Sequence, residues 1–298
     1  MYHKDILRMM ISNVITEYEL KGIMMLLNSF SGENDSLFSS SEMTERLGID
    51  ATAAERILSV DPEPIYRELK KSSIRMITEI DADYPVQLRR ILGKKCPPVL
   101  FTLGNTELLY GKNVGFTGSR RISQRGENIT VRAAHILSQN SITVVSGYAR
   151  GSDMSAHIAA LLSSGTTIFV LAEGIMNFRF KPEIIQLINS QNCLFVSQFS
   201  PDARWSGAAA LRRNETIIGL SQSVILTEAS YHSGTYSTGS RALKFGLPLF
   251  VYDYSEPPST ALANRNLIAR GGVPIRGKNG VPNLSSVIET TKRLIQSN

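Results

Sequence analysis

The chain of 298 residues holds few of the side chains that build disulfide frameworks or metal sites. Its two cysteines and four histidines are spread along the sequence: Cys96, Cys193, His3, His135, His157 and His232. Two cysteines are too few for a disulfide framework, and no Cys/His cluster has the spacing of metal ligands. We therefore expect no structural metal.

Long hydrophobic runs are also absent. No stretch of about 18 apolar residues could cross a bilayer, and the opening "MYHKDILRMM" lacks the charged-then-apolar layout of a signal peptide. With 42% hydrophobic and 19% charged residues, the chain has the composition of a soluble globular protein with one main domain and a smaller one. We expect it to be cytoplasmic, without membrane contact.

Acidic residues become scarce in the second part of the chain. Residues 1–110 hold 13 Lys and Arg against 16 Asp and Glu (net −3), whereas residues 111–298 hold 19 against 10 (net +9). Of those 19 cations 14 are Arg, whose planar fork binds phosphate oxygens in pairs. The excess favours a polyanionic or phosphorylated partner, although surface charge can also serve solubility alone.

Residues 1–72 are predicted to form a small helical module, because apolar residues recur there at helical spacing. Ser41 indicates the start of a helix in this module, and Gly48 indicates its end. Residues 73–111 hold a short strand, a proline-containing turn, a short helix and another strand. We expect this segment to be a connector that packs on the core that follows.

From residue 112 onward, near-continuous apolar segments alternate with amphipathic ones. Strands are predicted at 113–118, 142–147, 166–174, 193–199, 223–229 and 248–254. Helices are predicted at about 126–139, 152–164, 181–190, 208–220, 235–245 and 261–270. Strands without polar alternation are buried on both faces. The sequence therefore predicts an α/β fold, with a doubly wound, Rossmann-like parallel sheet over residues 112–298 and a small helical N-terminal domain.

Three loops of this sheet have the composition of an anion site. Ligands of such sheets bind beyond the carboxyl ends of the strands, where glycine, hydroxyl groups and arginine can surround a phosphate. One loop alone is better explained as a turn with a helix cap, but three at one edge favour anion binding. The candidate residues are Gly118, Ser119, Arg120, Arg121, Ser146, Gly147, Arg150, Gly151, Asp153, Ser233, Gly234, Thr235 and Thr238.

The helix start "ALRRNETIIGLS" adds Arg212, Arg213 and Asn214 to this set. Arginine near a helix N-terminus opposes the helix dipole, which favours an anionic neighbour over a solvated turn. Neither G-x-G-x-x-G nor G-x-x-x-x-G-K-[ST] occurs, so tightly bound NAD or ATP is disfavoured and no cofactor is expected.

Candidates for proton transfer are few. Glu173 and Glu228 stand at strand ends, and either could position an arginine instead of acting as a base. His157 lies one turn into its helix, and we expect it to anchor that helix by a hydrogen bond.

The motifs between residues 78 and 272 resemble, in order, those of the bacterial DNA-processing protein A family (DprA, also called Smf). Each motif is weak alone, but the ordered set is specific. The resemblance implies a Rossmann-like, non-enzymatic core that binds single-stranded DNA in a basic pocket, forms a homodimer and helps load the RecA recombinase during DNA uptake or repair. The matching segments are "DYPVQLRRI" with "PPVLFTLGN", "GFTGSRRIS", "VVSGYARGSDMSAHIAAL", "TIFVLAEGI", "RRNETIIGLS" with "VILTEA", "HSGTYSTGSRALKFGLPLFV" and "NLIARGG".

Carried over by position, the resemblance places the DNA-binding pocket on the three loops. Arg213 and Asn214 match the start of the family's R-N-R triplet, and Lys181 joins the candidate set beside Arg212. Asp153 is expected to cap its helix or to steady Arg150.

Several positions depart from the family pattern. The last residue of the triplet is Glu215, with Arg212 as a substitute cation, and Gln198 replaces an acid after the fourth strand. Tyr148 and Glu173 stand where the family tends to have an aliphatic residue and a small or polar one. The family's Tyr-Pro-x-x-Asn stretch reads "FRFKPEII", and we expect no room for the C-terminal winged-helix domain of some members. These departures indicate a divergent member.

Three hypotheses for function follow. The first is a sequence-independent binder of single-stranded DNA, with bases stacked on Phe178, Phe180 or Tyr148, unless Tyr148 packs inward. The second is a nucleotide sensor or nucleotide-cleaving enzyme that uses the same anion site, in a phage-defence or toxin-control module. The third is an interaction module whose basic face docks an acidic protein. The ordered motifs favour the first.

Overall fold

The apolar segments after residue 112 form strands of one sheet in the computed structural model, which describes residues 2–16, 19–24 and 39–296. The strands are β1 (Arg75–Thr78), β2 (Val99–Gly104), β3 (Asn113–Thr117), β4 (Thr143–Gly147), β5 (Thr167–Val170), β6 (Cys193–Ser197), β7 (Ser223–Leu226), β8 (Leu249–Tyr252), β9 (Val273–Ile275), β10 (Gly277–Lys278) and β11 (Val281–Pro282).

The helices lie mostly between these strands. They are α1 (Tyr2–Ser12), α2 (Ser40–Leu47), α3 (Ala51–Leu58), α4 (Glu63–Lys71), α5 (Val86–Leu92), α6 (Gln124–Gln139), α7 (Ser152–Leu162), α8 (Pro182–Ile185), α9 (Gly207–Gly219), α10 (Gly234–Lys244), α11 (Asn264–Ala269) and α12 (Ser285–Gln296). Residues 19–24 are helical as well. Among the described residues, no helix combines the length and the apolar character needed to span a membrane.

The strand order confirms the doubly wound fold. The main sheet runs β1-β2-β6-β5-β4-β3-β7-β8-β9. Strands β3 to β9 pair in parallel with their neighbours, whereas β2 is antiparallel to β6 and β1 is antiparallel to β2. The chain winds outward from β3 to β6, returns to the other side of β3 and then winds outward from β7 to β9. This return creates a switch point between β3 and β7.

Helices cover both faces of the sheet. Val144 of β4 packs in an apolar cluster with Ala134 of α6, whereas its neighbour Val145 packs in another with Leu88 of α5 and Ile217 of α9. Successive side chains of a strand point to opposite faces. Burial of both explains why these strands lack polar alternation.

Local structure differs from the prediction in several places. The helix predicted at 181–190 shrinks to α8, because the side chains of Asn189 and Asn192 accept hydrogen bonds from each other's backbone N–H groups and form a turn instead. The helix predicted at 261–270 is α11, preceded by a 3₁₀ turn. Residues 73–111 supply β1 and β2 to the main sheet. The division of the chain into three parts stays a prediction.

The N-terminal helices begin and end through local capping. Helix α2 has Ser39, not Ser41, as its N-cap residue, and Ser39 forms a capping box with Glu42. Gly48 ends the helix with a φ of +67°, as predicted. Residues 1, 17–18 and 25–38 of the predicted helical module lie outside the described part.

Helix α1 carries a buried carboxyl group. Ile6, Leu7 and Met9 of this helix belong to the apolar cluster that reaches β2 and β6. Asp5 beside them is 2% exposed, and its Oδ2 has no hydrogen-bond partner among the described atoms. Burial raises the pKa of Asp5 to about 6, although the charge of Arg8 opposes the shift.

Replacing this carboxyl group should stabilise the protein at neutral pH. The folded-state pKa of Asp5 lies above the unfolded value of about 3.9, so the wild type loses stability as the pH rises from about 4 through about 6. Asp5→Asn is expected to raise the free energy of unfolding by about 1 to 3 kcal/mol near pH 7.5 and to have little effect near pH 4. Urea unfolding measures both values, with exposed Glu45→Gln as the control. Equal stabilities of wild type and Asp5→Asn near pH 7.5 would contradict the expectation.

Candidate functional site

The candidate site lies at the switch point of the sheet. Strand β3 pairs with β4 on one side and with β7 on the other. The segments that follow these strands are loop 1 (residues 118–123), loop 2 (148–151) and loop 3 (227–233). Open α/β sheets leave a crevice for ligands at such a point.

Hydrogen bonds between the loops and the starts of the helices that follow them fix the relative positions of the loops. The backbone N–H of Ser152 donates to the carbonyl oxygen of Ser119 at 3.2 Å. The hydroxyl of Thr235 donates to the carbonyl oxygen of Gly118 at 2.9 Å, and the hydroxyls of Ser152 and Thr227 lie 2.8 Å apart. The three loops therefore form one connected unit.

A buried arginine forms the floor of this unit. Arg213 of α9 is 5% exposed, and its guanidinium occupies the space that a side chain at Gly147 would need. It donates hydrogen bonds to the carbonyl oxygen of Val170 and to Oδ1 of Asn214. Asn214 in turn donates to the hydroxyl of Thr238 at 2.9 Å. These contacts join α9, β5 and α10.

Asp153 is a buried carboxylate whose pKa responds to this arginine. Burial raises the pKa of Asp153, and the nearby Arg213 guanidinium counteracts that rise. The N-cap residue of α7 is Gly151 and not Asp153. Among the described charged groups, Arg213 rather than the expected Arg150 has the largest effect on the pKa of Asp153.

His157 anchors α7 to β4 and β5 by hydrogen bonds, in the role predicted for it. Its Nε2 lies 2.8 Å from the carbonyl oxygen of Gly147 and donates to it, while Nδ1 lies 2.6 Å from the hydroxyl oxygen of Thr167. Burial lowers the pKa of His157 to about 3. The ring is therefore neutral at physiological pH, and its role is structural.

Tyr148 packs inward. Its ring makes edge contacts with Phe169 and Phe178 at centroid distances of 5.6 and 6.2 Å. Its hydroxyl accepts from the backbone N–H of Lys181 at 2.8 Å, and Nζ of Lys181 donates to the carbonyl oxygen of Tyr148 at 2.7 Å. Of the three rings predicted to stack on bases, Phe180 is the exposed one, at 44%.

Two adjoining cavities of about 410 and 400 Å³ open on the loops, and we call them together the loop groove. They share Arg120, Ala149, Trp205 and Arg213. The first cavity is lined by five cations and one carboxylate: Arg120, Arg121, Arg150, Lys181, Arg213 and Glu173. Such an excess of one sign in a cleft concentrates anions.

Trp205 lies at the boundary between the two cavities. It is 53% exposed, and the guanidinium of Arg120 lies 5.8 Å from its ring centre. An exposed ring beside a cation suits a base next to its phosphate. Sequence reasoning missed Trp205, because its loop matches no motif. The available signal was the only tryptophan of the chain, set just before the helix cap Ser206.

Most predicted site residues line the loop groove: Gly118, Ser119, Arg120, Arg121, Arg150, Asp153, Lys181, Arg213, Asn214, Ser233, Gly234 and Thr235. The others lie behind or beside its wall: Ser146, Gly147, Gly151, Arg212 and Thr238. Ser146, for example, is fully buried and donates to the carbonyl oxygen of Phe116 at 2.8 Å. The binding roles of both sets stay predictions.

Glu228 is a structural carboxylate. It is fully buried and accepts hydrogen bonds from the N–H and hydroxyl of Ser123 and from the hydroxyls of Tyr254 and Thr260. These bonds tie the start of α6 to the segments after β7 and β8. Glu173 lies at the wall of the loop groove among its cations.

Glu215, the main departure from the family triplet, has its own cations. It is 8% exposed and pairs with Arg241 and, at 3.4 Å, with Lys95. Residues two positions apart in a helix are rotated by about 200° around its axis. Glu215 and Arg213 therefore occupy nearly opposite faces of α9. The added anion is therefore neutralised away from the loop groove.

Comparisons with known proteins cover most of the chain. Residues 75–282 match the family model described as DNA recombination-mediator protein A. DNA processing protein DprA of Streptococcus pneumoniae is 32% identical over 202 residues, which are 67% of this chain and 70% of that protein. Protein Smf of Escherichia coli is 30% identical over 212 residues, 70% of this chain but only 56% of that protein.

Solved structures agree in fold. The X-ray structure of DprA from Streptococcus pneumoniae superposes with a TM-score of 0.79 at 25% identity, covering 94% of this chain and 96% of that one. DNA processing protein A from Helicobacter pylori, described as having a unique single-stranded DNA binding mode, gives 0.58 at 24% identity, covering 75% and 96%. The first likeness extends well beyond the residues matched by the family model.

A methyl group at Gly151 should disrupt the junction of loops 1 and 2. Gly151 has a φ of +76°, and an added Cβ would lie 2.5 Å from the carbonyl oxygen of Ser119 and 2.7 Å from that of Arg120. Gly151→Ala is expected to cost more than about 2 kcal/mol, since it combines backbone strain with displacement of loop 1. Gly246→Ala is the matched control, because Gly246 has a φ of +69° with open space around it, and should cost about 1 kcal/mol. Equal losses in chemical denaturation would contradict the close approach.

Proposed function

Because the chain belongs to the DNA recombination-mediator protein A family, we propose that it binds single-stranded DNA without catalysis and holds the phosphate backbone in the loop groove. The observation that carries the proposal is the set of five cations around one carboxylate in the first cavity. Arginine pairs with phosphate oxygens through two parallel hydrogen bonds, so such a set suits a polyphosphate backbone.

Phosphates and bases have distinct contacts in this proposal. Arg120 and Arg150 meet phosphates, and the N-terminus of α10 at Gly234 and Thr235 offers backbone N–H groups to another. Bases stack on the exposed ring of Trp205. Every base has an aromatic face, so binding of this kind is independent of sequence.

The nucleotide-cleaving alternative needs a carboxylate that is free to take a proton from water. Glu228 is fully buried and its oxygens already accept four hydrogen bonds, which favours a structural role over proton transfer. The contacts of Glu228 therefore disfavour this residue as the base, which leaves Glu173 at the groove wall as the other candidate.

The wider role rests on family membership. We propose that the protein acts in the cytoplasm as a homodimer, and that its DNA complex helps to load the RecA recombinase during DNA uptake or repair. The match of residues 75–282 to the DNA recombination-mediator protein A family supports a role in recombination.

Loss of a groove arginine should weaken DNA binding sharply. Arg120→Ala and Arg150→Ala are each expected to lower the affinity for an oligothymidine about tenfold or more at low salt, since each removes a phosphate contact. Wild-type affinity should fall steeply and log-linearly with salt concentration, and each variant should show a shallower slope. Fluorescence anisotropy of a labelled oligothymidine measures both quantities.

The control for these variants is Lys244→Ala, an exposed cation at the end of α10. Helix α10 starts at the carboxyl edge of the sheet and runs back to its amino edge, so Lys244 lies far from the loop groove. Its variant should bind like the wild type. Salt-insensitive binding, or unchanged affinity in both arginine variants, would exclude the loop groove as the DNA site.

The single tryptophan should report binding directly. A base stacked on Trp205 is expected to quench its fluorescence, and no other tryptophan of the chain obscures the signal. Trp205→Ala should lose about 1 to 3 kcal/mol of binding free energy, whereas Trp205→Phe should keep most of it because a stacking ring remains. Unchanged tryptophan emission at saturating oligothymidine would place the bases elsewhere.

A further inference from the structure

A third cavity lies at the same edge of the sheet, beyond the carboxyl end of β8. It has a volume of about 390 Å³. Three arginines and one carboxylate contribute to its lining: Arg125, Arg265, Arg276 and Asp253. We call it the β8 cavity. It lies outside the three loops on which the sequence motifs converge.

The β8 cavity joins cations to aromatic and apolar wall. Tyr252, Tyr254 and Ile275 also line it. The guanidinium of Arg125 lies 5.3 Å from the ring centre of Tyr254, and Arg265 donates to the carbonyl oxygen of Tyr254 at 3.2 Å. Guanidinium planes and apolar walls hold bases, and guanidinium groups hold phosphates.

Positive charge remains after internal pairing. Arg276 pairs with Asp253 at 2.8 Å, yet its side chain is 75% exposed. With one of three cations neutralised, the lining keeps a formal charge of +2. The β8 cavity therefore has the same kind of lining as the loop groove, with fewer cations.

The two sites are neighbours at the carboxyl edge of the sheet. Strands β3, β7 and β8 are neighbours, so the end of β8 lies only about 10 Å from the end of β3. Tyr254 of the β8 cavity donates to Glu228, which lines the loop groove. Arg121 of loop 1 and Arg125 of α6 are four residues apart and connect the two linings along the chain.

We propose that the β8 cavity continues the DNA path, so that a strand held in the loop groove passes the start of α6 and places its next nucleotides against Arg125 and Arg276. The inference rests on the proposed function and extends it from one groove to a longer binding site. It predicts that affinity grows with strand length until both sites are filled.

Oligothymidines of two lengths test the extension, one of roughly 4 nucleotides for the loop groove and one of roughly 16 for both sites. Arg125→Ala and Arg276→Ala, on separate elements, are each expected to weaken the long oligothymidine about threefold to tenfold and to lower its salt slope by about 1. The short oligothymidine should bind each variant within about twofold of the wild type and should quench Trp205 equally.

Lys278→Ala is the matched control. Lys278 is an exposed cation two residues beyond Arg276, and it does not line the β8 cavity. It should leave the affinity for both lengths unchanged, and thermal unfolding of each variant checks that the fold is intact.

Three results would overturn the extension. Wild-type affinity for the long oligothymidine in both arginine variants would remove the β8 cavity from the path. Equal weakening of both lengths would mean that the arginines act on the loop groove through the fold. Failure of the wild type to bind either length would overturn the proposed function itself, and the extension with it.

Discussion

The return of the chain to β3 is the constraint on which the rest of the molecule depends. Because β4 and β7 pair with opposite sides of β3, the segments after these strands leave in different directions and open a crevice. Three features lie around that crevice: the hydrogen bonds that join the loops, the buried Arg213 and the structural carboxylate Glu228. Each holds a loop whose direction the strand order has already set.

Local patterns predicted the parallel core well, because burial on both faces leaves a clear mark on a strand. They could not predict pairing direction at the edge: β2 is as apolar as the core strands, yet it runs antiparallel to β6. Strand β9 and the pair β10 and β11 were not predicted, since elements of two or three residues carry almost no periodicity.

The residues of the candidate site were likewise predicted only in part from the sequence. Residues in glycine-rich loops were found because those loops have a recognisable composition, whereas Trp205 entered only through the three-dimensional path of its loop. The effect of Arg213 on the pKa of Asp153 also depends on tertiary structure, as Arg213 is 60 positions away in sequence. Tyr148 shows how a departure from the family pattern can be accommodated, since its hydroxyl and carbonyl oxygen hold Lys181 at the groove wall.

The empty side-chain position at Gly147 has a consequence for how this sequence can diverge. The guanidinium of Arg213 fills the volume that any larger residue at 147 would occupy. A substitution at either position therefore changes which side chains fit at the other. Positions 147 and 213 are therefore expected to covary among related sequences, although they lie 66 positions apart in the chain.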